Sequence, residues 1–172
     1  MQQNQPFYKE KWFQDVLARW WGGLEKDRGG RAALRRAKNL DAVFACASFH
    51  QHLLAPLREA GWEPTERQVD ALAAVAGILA HVEENVPKGS FAEVMARPSR
   101  EGSKAVVSDL RFRRLLAVEG PEELLSALVR MVRLAGGKAN ILELAGAVLS
   151  WGDARRKSWA LDYYRLAPSE KN

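Results

Sequence analysis

Apolar residues recur every three or four positions along almost the whole chain, a spacing that predicts helices and not strands. A first helix is expected from about Phe7 to Trp21, with Trp12, Phe13, Val16, Leu17 and Trp20 supplying its buried side and Gly22-Gly23 its stop. A short helix should run from about Arg31 to Lys38. Asp41 reads as the cap of a third, reaching about Leu57 with Pro56 near its end. Thr65-Glu-Arg-Gln68 has the form of a capping box and opens the longest helix, to about Asn85. Ser90 with Glu93 repeats that form ahead of a short helix.

Residues 97–107, RPSREGSKAVV, break the periodicity with Pro, Ser, Gly and charge, and read as a mobile surface loop. Beyond them, Ser108 should cap a helix to about Val118. Pro121 with Glu122 and Glu123 starts another that stops at Gly136-Gly137. Asn140 with Glu143 caps the next, and Asp153 the last, to about Tyr164. The tail APSEKN is expected to fray. No strand alternation, hairpin turn or internal repeat is visible. The fold class is therefore all-α, a bundle of about eight or nine helices with short connections. Two small lobes, 1–96 and 108–172, should flank the loop and share one structural unit.

Composition adds limits. The 172 residues are 47% apolar and 27% charged, enough for a sizeable core without metal or disulfide. The single cysteine, Cys46, lies in the apolar run VFACASF and reads as a buried inert thiol in a reducing compartment. The start MQQNQPFYKEKW lacks the pattern of a signal peptide, and no run of about 18 apolar residues occurs. A cytoplasmic protein with no membrane partner is expected.

Charge changes the picture more. The net charge is +5, and the cations are clustered. In DRGGRAALRRAKNL, helical spacing puts Arg28, Arg31, Arg35 and Lys38 on one narrow face and Ala33, Leu34, Ala37 and Leu40 on another, while Arg36 projects separately. A face of guanidiniums with no acid beside it repels itself and is relieved by an anion, and Arg suits bidentate phosphate contact. A solvated helix face is the plainer meaning. In residues 97–114, six cations face only Glu101 and Asp109; in LRFRRLL, Leu110, Phe112, Leu115 and Leu116 supply the buried side, and Arg111 and Arg114 share an outer one with Arg113 near. Arg130 and Arg133 form a further site, and Arg155, Arg156 and Lys157 another. A groove tracking a phosphate backbone needs this segregation. Trp12, Trp20, Trp21, Trp62, Trp151 and Trp159 could stack on bases, but most sit at core spacing.

Catalysis finds little footing. His50 and His52 lie two apart, on different helix faces, and His81 with Glu84 lacks a second matched pair. No HExxH, CxxC or GxxxxGK[ST] occurs, and no cofactor is implied.

The ordered motifs WFQDVLARWWGGL, DRGGRAALRRA, KGSFAEVMA, SDLRFRRLL and ANILELAGAVLSWGDARRKSWALDYY resemble the CasB family, small subunits of the type I-E CRISPR surveillance complex, Cascade. The resemblance runs from about Trp12 to Tyr164. It implies an all-helical, two-lobed, non-enzymatic protein that lies in two head-to-tail copies beside guide RNA and the backbone and large subunits. It further implies a grip on target DNA and the displaced strand that stabilises the R-loop without reading sequence. Carried onto this chain, the contacts fall on Arg31, Arg35 and Arg36, on Arg111, Arg113 and Arg114, on Arg130, and on Arg155 and Arg156, with Arg28 and Lys157 secondary. Two rivals stay open: a helical adapter whose basic patches meet only protein, and a small enzyme using His50, His52 or His81.

Overall fold

The computed structural model describes residues 5–169; the expectations for the first four residues and for Glu170–Asn172 lie outside that range. Ten α-helices account for most of the described chain, with one two-stranded sheet.

The first expected helix is divided. A 3-10 turn, Phe7–Lys9, is held by the Phe7 ring against Tyr8, Phe13 and Trp62, and extended Glu10 separates it from α1, Lys11–Gly23. Gly22 and Gly23 do not stop α1; they form its last turn. Helix α2, Arg28–Arg36, starts earlier than its apolar pattern indicates. Asp27 accepts from the Gly30 N–H at 3.1 Å and so caps it. Asn39, not Asp41, caps α3, Leu40–Phe44: Asn39 is extended, whereas Asp41 is already helical. The single helix expected to Leu57 is broken into α3, a π-helical turn over Phe49–Leu54 and α4, Ala55–Glu59. Pro56 opens α4, where its missing N–H costs nothing.

Helix α5, Glu66–Leu79, is the central element. Its capping box forms as expected, Gln68 N to Thr65 Oγ1 at 3.2 Å and Thr65 N to Gln68 Oε1 at 2.8 Å. From Leu72 to Leu79 every residue is buried, so this half is enclosed on all sides. It packs on α3, on α8 (Pro121–Leu134) and on α9 (Ile141–Leu149). It ends at Leu79, short of Asn85, because the chain there turns to form β1, Glu84–Asn85, paired in parallel with β2, Lys138–Ala139. Two residues are too few for alternation to register in a sequence. Gly136 and Gly137, at φ +69 and +76, make the left-handed exit from α8 into β2.

The remaining helices are α6 (Phe91–Ala96), α7 (Asp109–Leu116) and α10 (Asp153–Leu166). Ser90 caps α6 through the Glu93 N–H, but the reciprocal half of the box is missing, because the Glu93 carboxylate pairs with Arg165 at 2.8 Å. Asp153 is not a cap: extended Gly152 holds that place, and Asp153 lies in the first turn. Leu110 is 49% exposed and not buried, since it projects opposite Phe112 on the eight-residue α7. Helices α6 and α10, from either side of 97–107, pack on each other. Val107 closes that segment in the core: its N–H bonds Met95 O, and its carbonyl accepts from Tyr163 Oη at 2.6 Å. Among the described residues no helix is long and apolar enough to cross a membrane.

Candidate nucleic-acid interface

The first arginine motif divides into two pairs. Arg31 and Arg35, expected on an outward stripe, turn instead onto the carboxyl end of α5. Arg31 donates to Ala80 O at 3.2 Å and Val82 O at 3.1 Å; Arg35 donates to Ala80 O at 2.7 Å and meets the Glu83 carboxylate at 3.4 Å. Trp21 Nε1 joins them on Leu79 O at 3.2 Å. The last carbonyls of a helix have no partner within it and carry partial negative charge, so cationic donors satisfy both needs. Burial and the neighbouring Arg35 lower the Arg31 pKa. Arg28 and Arg36 remain exposed, with no hydrogen bond or ion pair to a described residue, as does Lys38.

The other motifs divide in the same way. On α7, Arg113 pairs with Asp109 at 2.9 Å, while Arg111 and Arg114 stay exposed and unpaired. On α10, Arg156 donates to Val118 O at 2.9 Å and to Asp153, and Arg155 donates to Ser150 Oγ at 3.0 Å and lies 3.7 Å from the half-buried Glu143. Lys157 is exposed and unpaired. Arg130 reaches only its own helix, at Ser126 O.

Contacts to the backbone bring the ends of these helices near one another. Leu40 N–H, just past the end of α2, donates to the Glu122 carboxylate at the start of α8. Val118, between α7 and α8, is the residue that Arg156 of α10 holds. The end of α2, the start of α8, the end of α7 and the start of α10 are thus successive neighbours. Glu119, Glu122 and Glu123 lie at this junction, acids that segregation along the sequence did not reveal. At the opposite end of α8, the charge of Arg133 adds to those of Arg35 and Arg31 in disfavouring a proton on His81.

The family model for CRISPR-associated protein Cse2 matches residues 30–164. The chain belongs to the Cse2 family. The matched span holds every candidate contact residue except Arg28. No curated protein sequence matches the chain. In three dimensions the fold is similar to a chain in the crystal structure of E. coli Cascade bound to a PAM-containing double-stranded DNA target. The TM-score is 0.66 at 20% identity, covering 88% of this chain and 94% of that one. At that identity the likeness establishes the fold.

The histidines of this Cse2-family chain are occupied structurally. His50 is exposed, with Nε2 2.7 Å from Phe44 O. His81 is half-buried and held down to about 4, first by burial and then by Arg133, Arg35 and Arg31. His52 joins Asp27 and Ser48 in a cluster that sequence spacing did not bring together. The Ser48 hydroxyl donates to Asp27 Oδ2 at 2.8 Å, and His52 Nδ1 lies 3.3 Å from the same oxygen. A serine nucleophile needs the base on its hydroxyl and the acid on the far ring nitrogen. Here serine and histidine both face the carboxylate, which anchors α2. Those bonds, that of Ser48 first, hold the Asp27 carboxyl below its usual range. Cys46 donates to Ala42 O, and burial pushes its thiol up, as expected of an inert core cysteine.

Proposed function

We propose that this chain is the non-enzymatic small subunit of a cytoplasmic type I-E Cascade complex. In this reading it contacts guide RNA, target DNA and the displaced strand through unpaired surface cations and so stabilises the R-loop. The observation that carries the reading is the succession of neighbouring helix ends at the α2–α8–α7–α10 junction. Arg36 and Lys38, Arg114 and Lys157 stand close by these ends without an acid partner. The solved chain of similar fold belongs to Cascade on a DNA target, which supports the same assignment.

The mechanism is electrostatic. Replacing a DNA duplex by a guide–target heteroduplex is nearly balanced in free energy, so backbone contacts that exist only in the opened state tip it. Each phosphate neutralised releases counterions, whatever the base. Arg28, Arg36, Arg111, Arg114, Arg130 and Lys157 are the contacts with donors to spare; Arg31, Arg35, Arg113, Arg155 and Arg156 divide theirs between the fold and a ligand. The partners are the Cascade backbone and large subunits and a second copy of this chain.

The test is charge reversal of Arg36, Arg111 and Arg114 in the assembled complex, with DNA affinity measured across unrelated sequences and a salt series. Affinity should fall by a similar factor on every sequence, and the log–log salt slope should become shallower. A loss confined to particular sequences would contradict the mechanism. The junction acids Glu119, Glu122 and Glu123 favour a second reading, an adapter docking on protein alone. Photoreactive DNA that yields no adduct with this subunit would favour the adapter.

A further inference from the structure

We propose that the cleft between the end of α1, the start of α2 and the turn after α5 binds a single phosphodiester group, held by Arg31 and Arg35, with the charge of Arg133 on α8 added from beside His81. The proposal rests on the nucleic-acid reading and goes beyond it by naming one site and a proton coupled to it. A cleft of about 360 Å³ opens here, lined by Trp21, Gly22, Glu25, Arg31, Arg35 and Glu83. Arg31 and Arg35 each spend only two N–H bonds on the protein, leaving donors on both guanidiniums for a tetrahedral oxyanion. Arg133 is exposed and unpaired, and comes from a different helix.

The charges around the cleft are uneven. His81 is faced by Arg133 from α8 and by Arg35 and Arg31 from α2, and the backbone at Arg35 is the only group favouring its proton. Glu83 and Glu25 offset Arg31. Glu83 holds Arg35 through a long contact at 3.4 Å and is 66% exposed, a kind of pair that contributes little and is readily displaced. A phosphodiester in its place would neutralise the arginines that keep His81 unprotonated. Binding would therefore be accompanied by proton uptake at His81, and would tighten as pH falls from about 7 to about 5. Glu83 acts as a weak internal competitor for the same donors.

The test follows His81 by NMR in the full-length chain, alone, with a saturating short thymidylate strand, and with sulfate, whose charge is constant over this range. The strand should raise the His81 pKa from about 4. Arg133→Ala, which removes no contact within the fold, should weaken strand binding about fivefold. Glu83→Gln should tighten it, and His81→Gln should remove its pH dependence. A strand that binds without moving His81 overturns the site and leaves the nucleic-acid reading standing. A strand that does not bind removes that reading, and sulfate then decides the site alone. A raised His81 pKa in sulfate upholds an oxyanion site; an unmoved one overturns it.

Discussion

Arg156 lies over the ring of Trp151, 5.6 Å from its centroid, and the two side chains share one acceptor, the Val118 carbonyl, at 2.9 and 2.7 Å. The pair repeats at the far side of the fold, where Trp21 and Arg35 bond Leu79 O and Ala80 O. In both places a planar cation and an indole N–H satisfy carbonyls that a helix or turn leaves open.

This arrangement separates arginines that hold the fold from arginines on the surface. Arg156→Ala should lower unfolding free energy by about 2 kcal/mol, since Val118 loses a charged donor and Trp151 its cover. Arg111→Ala, on the exposed side of α7, should change it by no more than about 0.5 kcal/mol. Urea denaturation of the two variants checks the contrast, and equal losses would contradict it.

Glu143 ties three elements together. Its carboxylate accepts from the Phe91 N–H and Trp159 Nε1, both at 2.8 Å, beside Arg155. Glu143→Ala should cost about 3 kcal/mol, because those buried donors are left unpaired. Burial raises the Glu143 pKa above 4.5, so the folded state holds this proton more tightly than the unfolded chain does. Its contribution is full below the unfolded value and declines as pH rises through the folded one. Glu143→Gln should remove that decline, seen as a flatter profile of denaturation midpoint against pH.

His81 works in the opposite direction. Its pKa is about 4 in the fold against 6.5 unfolded, so the folded state binds fewer protons between those values. Stability should be fully present above about 6.5 and fall as pH drops toward about 4. His81→Gln should remove that acid sensitivity. An unchanged acid limb in thermal melts would show that His81 is not its source.

Gly77 of α5 packs directly against Leu125 of α8. A Cβ there would stand 2.6 Å from Leu125 Cδ1 and 3.5 Å from Val43 Cγ2. Gly77→Ala should destabilise by about 1–3 kcal/mol despite the better helix propensity of alanine. A melting temperature at or above that of the parent would mean that Leu125 moves aside freely.

Much of this molecule follows from local rules. Helical spacing, the Thr65–Gln68 box, the Ser108 and Asn140 caps and Pro121 all act within one turn of chain, so they can be read from neighbouring residues. The order of the motifs likewise carries the family. Asp27 as the centre of the Ser48–His52 cluster, the break within 41–57 and the parallel rungs at 84–85 and 138–139 depend on partners distant in sequence, and no local pattern announces them. The same limit applies to charge. Composition and spacing determined that cations are abundant and segregated from acids. Only tertiary packing decided that Arg31, Arg35 and Arg156 turn inward to backbone carbonyls, that Glu122 meets Leu40, and that the charge of Arg133 acts with the first motif on His81. Whether an arginine faces solvent or a carbonyl depends on which helix end packs beside it, and that is fixed by the burial of the whole core.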